Sequence, residues 1–289
     1  MIKLLRANML RVVKSVTFWI FLALYTLYPI IIALIQIDSY GRISIEKMFS
    51  LNYGVEVVPM QGIFIALLSS ILFCVDFHNG TLRNKIVVGH SKINIYLANL
   101  LTMIIISLTL SVIYIIVSFA LGMPILGKFT TSASSIIWTI VDGSLMLMAY
   151  SSLMTLIAMT SKNSFVALIV SLVVLTAGAL LAYFMDYLVS IPEVIRIPGE
   201  NAMGETVWLE IINEDAPSKA AKVFCRFLTD LLPSGQSLQI SGSDKNQGWQ
   251  FDMFIRGKLH YWQMALYSLG FISVTSGIGI GLFRKSIIK

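Results

Sequence analysis

Apolar runs without a single charge alternate with short polar segments along this chain of 289 residues. Five such runs span 15–37, 57–75, 93–127, 163–185 and 259–283. Each holds the roughly 20 apolar residues that a helix needs to cross a bilayer. Lipid offers no hydrogen bonds, so the backbone of each run must satisfy itself, and a helix does so. A sixth run, 136–159, fits once Asp142 is set aside. The pattern predicts an all-α integral membrane protein with six transmembrane helices, at about 17–37, 57–75, 93–121, 136–159, 164–187 and 261–282. Pro29 is a candidate kink in the first.

Two flanking segments carry a helical period of their own. Ile2, Leu5, Met9, Val12 and Val16 repeat at intervals of three and four, and Lys3, Arg11 and Lys14 fall off that stripe. This predicts an N-terminal amphipathic interfacial helix over 1–15, its bases near anionic headgroups; a purely topogenic positive patch explains the same bases. The only long polar stretch, 188–260, lies between spans five and six. Within it, 218–232 predicts an amphipathic helix framed by Pro217 and Pro233, with Ala221, Phe224, Phe227, Leu228 and Leu231 on one face. Residues 206–212 read as a short strand. The composition of this large extracellular loop fits a lid rather than an independent domain. The chain thus divides into the interfacial helix 1–15, spans one to five over 16–187, the loop subdomain 188–260, and span six with its tail over 261–289. In span six, Gly270, Ser273, Gly277 and Gly281 share one ridge, a small-residue pattern for close helix packing.

Composition agrees with this class: 57% hydrophobic and 12% charged residues, against roughly 25% charged in soluble domains. Charge sign then orients the chain. Lys3, Arg6, Arg11, Lys14, Arg83, Lys85, Lys92, Lys162, Arg284, Lys285 and Lys289 all fall on one side, opposed only by Asp76. The positive-inside rule places both termini in the cytoplasm. Those bases account for the isoelectric point near 9.3. They are dispersed along a membrane surface, so no nucleic acid is implied. Lys14 runs straight into an apolar stretch of full spanning length, which does not fit a cleavable signal. Abundant Ile, Lys, Ser and Asn point to a bacterial plasma membrane.

Catalytic and nucleotide chemistry is scarce. Gly122-Met-Pro-Ile-Leu-Gly127-Lys128-Phe129 follows a phosphate-binding loop until its last position. Magnesium needs Ser or Thr there, and Phe129 supplies neither. We therefore expect no ATP site in this chain. Cys74 and Cys225 are too far apart in sequence to imply a disulfide framework or metal site. His78, His90 and His260 form no zinc-binding pattern, and no metal or cofactor site is expected. No paired acids or Ser/His set points to an enzyme. Asn79-Gly80-Thr81 matches a glycosylation sequon but falls on the inner side. Asp142, inside span four, is a candidate translocation-path residue because intramembrane charge is costly; an acid near the outer interface, facing water or a Ser or Tyr of another span, reads equally from the sequence. Asp186 closes span five.

The most informative segment runs from Asp76 to Lys92, between spans two and three. Gly80 and Gly89 bracket room for about two helical turns. Thr81 is placed to cap the start, and Gly89 to close the end in a left-handed conformation. Leu82 and Ile86 would share one face. This predicts a short, basic cytoplasmic helix over 80–89.

At this segment the sequence resembles the permeases of ABC-2-type exporters. Their inner loop runs acid, Gly-Thr-aliphatic, then Gly-x-Ser/Thr-base, matched here by Asp76, Gly80-Thr81-Leu82 and Gly89-His90-Ser91-Lys92. Asp76 and Lys92 stand where relatives often carry Glu and Arg. Leu231-Leu-Pro-Ser-Gly-Gln236 also looks like an outer segment of that family. The resemblance implies a transmembrane permease subunit of a bacterial ABC exporter, coupled to ATP hydrolysis in a separate chain. Two copies of an ABC ATPase would bind ATP and Mg and receive the 80–89 helix in a groove. The coupling residues it implies are Asp76, Gly80, Thr81, Leu82, Arg83, Lys85, Ile86, Gly89 and Lys92. The apolar face would supply affinity, and Arg83, Lys85 and Lys92 would meet acids or lipid headgroups. A second permease, identical or homologous, would complete the pathway. Uniformly apolar spans favour a hydrophobic or amphipathic substrate, an antimicrobial peptide or a drug, as in peptide transport or multidrug resistance. Two other readings remain: a peptide-sensing or immunity subunit using 188–260, and an intramembrane enzyme using Asp142.

Overall fold

The computed structural model describes residues 1–35, 44–53, 58–200, 206–241 and 261–286. In order these form α1 (Ile2–Val13), α2 (Val16–Ile35), α3 (Ile45–Ser50) with a 3-10 turn at Leu51–Tyr53, α4 (Val58–His78), α5 (Thr81–Val87), α6 (Lys92–Leu126), α7 (Ala133–Ser161) and α8 (Ser164–Ser190). An antiparallel hairpin follows, β1 (Val194–Glu200) and β2 (Thr206–Ile212), then α9 (Lys219–Leu231), α10 (Pro233–Ser241) and α11 (Tyr261–Lys285). Six of these helices are long and apolar enough to cross a membrane: α2, α4, α6, α7, α8 and α11. They fall on the six expected runs. The expected strand at 206–212 is β2; its partner β1 was not anticipated. Parts of the expected loops, and Lys289, lie outside the described residues.

Connectivity defines two ends. At the near end, α5 joins α4 to α6, and a tight turn joins α7 to α8. Lys92 Nζ donates to the carbonyls of Arg284 (3.0 Å) and Ser286 (2.8 Å), which brings the end of α11 there too. Short polar side chains cap the helices that begin after turns. Ser91 accepts from Asn94 N, Ser132 from Ser135 N, and Asn163 from Phe165 N, each satisfying a backbone donor that a helix start leaves open. At 35 residues, α6 is about 52 Å long at 1.5 Å per residue, more than a hydrocarbon core of about 30 Å requires.

Helices α4, α6 and α7 form the centre, with Phe64, Phe73, Tyr96, Met103 and Tyr114 fully enclosed. α2, α8 and α11 flank them and turn Trp19, Leu27, Phe165, Val173, Leu266 and Val274 outward. Such faces are at home against acyl chains, which are as apolar as leucine. Inside, polar groups find one another. The Tyr25 hydroxyl donates to Asn52 Oδ1 (2.7 Å), Asn52 Nδ2 to Ser111 Oγ (2.9 Å), Gln61 Nε2 to the Ser107 carbonyl (3.0 Å), and Ser151 Oγ to Ser107 Oγ (3.0 Å). This chain of bonds joins α2, α4, α6 and α7 through the 3-10 turn.

The N-terminal helix departs from the expected stripe. α1 buries Leu4, Asn8 and Val12, not Ile2 and Val16, which stand exposed. The cause is Asn8, whose amide donates to Asn99 Oδ1 on α6 at 2.8 Å. That bond rotates the helix to bring a polar residue inward. Ile2, Leu10 and Val13 are left exposed beside Lys3, Arg6 and Lys14, an arrangement suited to a bilayer surface.

Span six also packs differently from the expectation. A Cβ at Gly270, Gly277 or Gly281 would meet nothing within 4 Å, so that ridge takes no part in packing among the described residues. The glycine that does is Gly279, where a Cβ would fall 2.0 Å from the buried Tyr96 hydroxyl. Gly279→Ala is expected to destabilise the protein by about 1–3 kcal/mol through overpacking, whereas Gly277→Ala and Gly281→Ala leave it unchanged or firmer. Unfolding in detergent of the three variants measures the contrast.

Opposite the near end, α3 is tied to the turn between α6 and α7. Glu46 accepts from the Thr130 hydroxyl (2.9 Å), the Thr130 backbone N–H and the Thr131 N–H (3.2 Å). Burial pushes this carboxyl up, but the bonds from Thr130 and Thr131 outweigh it and hold the pKa below its ordinary 4.5. A depressed pKa stabilises the fold above the unfolded value and ceases to do so as pH falls through the folded one. The protection of the Thr130 and Thr131 amides, taken relative to their intrinsic exchange rate at each pH, is therefore expected to fall only when the pH drops below 4.5, and Glu46→Gln should remove that pH dependence.

Candidate functional site

At the near end, the chain leaves α4, turns at Gly80 and enters α5. Gly80 takes φ +66°, the left-handed region that side chains disfavour. The helix closes with Gly89 at φ +97°. Gly89 N–H returns to the Ile86 carbonyl (2.9 Å) and His90 N–H to the Lys85 carbonyl (3.1 Å), the paired bonds of a Schellman motif. The expected short helix between two glycines is thus present.

Its anchor is Asp76, only 2% exposed. Thr81 Oγ1 donates to Asp76 Oδ1 at 2.7 Å, Lys85 Nζ to Oδ2 at 2.6 Å, and Arg11 Nη1 approaches Oδ1 at 2.9 Å. Arg11 Nη2 also donates to the Leu72 carbonyl. One carboxylate therefore clamps three helices, α1, α4 and α5. Two cations and a hydroxyl together satisfy a charge that would otherwise be costly to bury.

Several expectations for this segment are corrected. Thr81 does not cap α5. Gly80 occupies that position without a side-chain bond, and the Thr81 hydroxyl goes to Asp76 instead. Leu82 is 1% exposed and Ile86 packs against the same core, so the apolar face turns into the protein rather than away from it. Lys85 and Lys92 are engaged within the chain, by Asp76 and by the end of α11. What α5 presents outward is Arg83, Asn84, Val87 and Val88, the two valines 78% and 77% exposed. The sequence carried only a faint signal for this: Lys85 follows Asp76 by nine residues, across the turn at Gly80.

A second polar region lies deep in the far half. α10 follows Pro233, and Pro233–Ile240 are all buried. Ser234 Oγ donates to the Gly178 carbonyl in the middle of α8 (2.8 Å), and Gln236 Nε2 to the Met264 carbonyl on α11 (3.1 Å). Ser268 Oγ donates to Gln236 Oε1 (2.7 Å), and Gln239 Nε2 to Asp230 Oδ1 (2.6 Å). The sharp turn into α10 requires Gly235, where a Cβ would lie 2.1 Å from the Thr229 carbonyl. Within the segment 188–260, α10 returns into the bundle, where Ser234 reaches the middle of α8. Such a segment is tolerated where protein surrounds it. The sequence clue was the absence of charge between Asp230 and Asp244.

Asp142 stands near this helix. Trp138 stacks on Tyr261 and Ser152 bonds Thr275, two contacts in one register between α7 and α11. That register sets Asp142 level with Ala265, next to the Met264 carbonyl that Gln236 holds. Asp142 is 1% exposed. Neither of its oxygens meets a hydrogen-bond partner among the described residues. Among the described residues it has neither the Ser nor the Tyr partner weighed from the sequence. Asp186 is buried as well, with Arg226 of α9 as its facing charge. Among the described residues no group of three His, Cys, Asp or Glu side chains is placed to hold a metal ion.

Comparison with known protein families and with curated proteins gives no match. Function must therefore be argued from this geometry.

Asp76→Asn keeps the Thr81 bond but leaves two cations facing a neutral group. It is expected to cost about 3 kcal/mol, as for a buried pair that loses one partner. Arg11→Ala, with its side chain 39% exposed, should cost no more than about 1 kcal/mol. Denaturant unfolding in micelles measures both, and hydrogen exchange in α5 should rise for Asp76→Asn.

Proposed function

We propose that this chain is the permease subunit of a bacterial ABC exporter of the kind its sequence resembles, driven by separate ATPase subunits that dock at the near end. The observation that carries this reading is α5. It is a capped helix between two spans, anchored by a buried carboxylate and ending in two exposed valines on a charged surface. A free loop needs neither anchor nor apolar tip. On this reading the near end is cytoplasmic, as the positive-inside rule requires. The ATPase contacts are Arg83, Asn84, Val87 and Val88, while Asp76, Gly80, Thr81, Leu82, Lys85, Ile86, Gly89 and Lys92 hold the helix in place.

The mechanism follows from how firmly α5 is held. Asp76 fixes it to α1 and α4, and Leu82 seats it in the core. ATPase closure would then displace α5, α4 and α1 as one body, the rigid-element motion by which many switches act. Lys92 extends that body to the end of α11. Two such permeases, identical or homologous, would frame the path, with ATP and Mg bound only by the ATPase pair. The substrate class is hydrophobic or amphipathic, a peptide or drug. Asp142 beside the polar α10 is the candidate path element at membrane depth.

Val87→Asp combined with Val88→Asp tests the docking face. Both side chains are exposed, so membrane insertion and thermal stability should persist. Burial of two valines contributes about 3 kcal/mol, about a hundredfold in affinity. Co-purification with a co-expressed ABC ATPase that binds the wild-type chain should therefore be lost, along with substrate-stimulated hydrolysis. Undiminished co-purification of the double variant would overturn the assignment.

A further inference from the structure

We infer that α9, packed antiparallel against the far end of α8, sits at the far membrane boundary with its apolar face covered by acyl chains of phospholipid in that leaflet. The inference uses only the six spans and does not depend on the transport reading.

The orientation of α9 is the first argument. The sequence puts Ala221, Phe224, Phe227, Leu228 and Leu231 on one face, which water around a lid would drive inward. The structure partly buries Ala221, Leu228 and Leu231 but turns the two phenylalanines outward. Val223, Phe224 and Phe227 are 70%, 60% and 44% exposed, and the residues turned to the protein are Cys225 and Thr229. Lys222 and Arg226 also face the protein. Lys222 Nζ donates to the Ile191 carbonyl at 2.6 Å, and Arg226 faces Asp186 and Asp230. Water would favour the opposite arrangement, since exposed phenylalanine is costly there.

Depth is the second argument. α8 starts at Ser164, in the near-end turn, and about 20 residues cross the hydrocarbon core. The far boundary therefore falls at about residue 184. Asp186 and Ile191, the two points that hold α9, lie just beyond it. The Lys222–Arg226 turn is thus pinned near the height of the headgroups, and from there α9 continues down beside α8.

Continuity is the third. The outward face of α8 carries Leu180, Leu181, Phe184 and Tyr187 up to this boundary. On the other side, Phe227 packs edge-on against Tyr267 of α11 at 5.7 Å, next to the exposed Leu266. The apolar face of α9 therefore extends a surface that the spans already present to lipid. Lys219, Ala220, Val223, Phe224 and Phe227 line an open trough there. The small Ala220 leaves room for an acyl chain, and Lys219 can reach up to a phosphate while its stem stays in the apolar layer.

The test places a fluorescent label at Val223→Cys, Phe224→Cys or, as control, Asp215→Cys in the exposed turn before α9. Cys74 and Cys225 are buried, so the wild-type chain supplies the blank. The full-length protein is reconstituted in phosphatidylethanolamine–phosphatidylglycerol vesicles containing doxyl-labelled lipid. The labels at 223 and 224 should be quenched several-fold more than that at 215, more strongly by doxyl groups near the headgroup than by those near the chain end. They should also be shielded from aqueous iodide. Iodide access equal to that at 215, without lipid quenching, would overturn the inference. So would shielding that appears only when a synthetic cationic amphipathic peptide is added, or disulfide cross-linking of the Val223→Cys chain to a second copy. The first would assign the face to substrate, the second to an interface between protomers.

Discussion

A bilayer supplies no hydrogen bonds, so a polar group placed in this bundle gains by being answered from another part of the chain, and Asp142 stands out among the described residues for lacking such an answer. That constraint accounts for more of the structure than hydrophobicity does. Apolar surface alone would let six helices slide past one another, because lipid competes equally well for leucine. Specificity comes from the few positions where a buried polar group meets partners on a particular neighbouring element. Asn8 finds Asn99, Asn52 finds Ser111, Gln61 finds the Ser107 carbonyl and Gln236 finds the Met264 carbonyl. Each bond fixes the rotation or depth of an element that apolar packing would leave free.

The near end applies the same rule to charge. Asp76 is buried because Arg11, Lys85 and Thr81 reach it from two other helices. The result is a rigid corner in which the helix most suited to receive a partner is also the one least free to move alone. On the transport reading this is a useful property, since a flexible loop would absorb the motion of a motor. It also separates two roles that the sequence ran together. The residues that hold α5 are those of the recognisable motif, and the residues free to touch a partner are Arg83, Asn84, Val87 and Val88.

How much was legible in the chain follows from this division. The six spans were, because a run of 20 apolar residues is a long signal with one physical meaning. The two glycines around α5 were, because few other residues accept a positive φ. Facing was not. The stripe on α1 was read from hydrophobicity, and one hydrogen bond from Asn8 overruled it. The face of α9 was read as if water were its solvent. Leu82 was given to a partner because the sequence does not reveal which side of a short helix already has a neighbour. α10 was missed because a polar segment reads as loop, and only the lack of charge from Leu231 to Ser243 marked it as something able to enter the membrane.

The two ends of the molecule solve the boundary problem in opposite ways. α1 commits Arg11 to Asp76 and ties its polar Asn8 inward, and leaves Lys3 and Arg6 outward for a headgroup layer. α9 turns two of its cations inward to Asp186, Asp230 and the Ile191 carbonyl, and leaves an apolar face for the layer outside. The difference follows from what each helix is attached to. α1 docks on the side of α6, where Asn99 and Thr102 offer polar partners. α9 docks on the exposed end of α8, where unsatisfied carbonyls and a buried acid demand donors. Once those donors are committed, the apolar residues of α9 have nowhere to go but outward. The tight turn at Gly235 packs back on Thr229 at the end of α9, so the placement of α9 beside α8 and the entry of α10 into the interior are one structural decision.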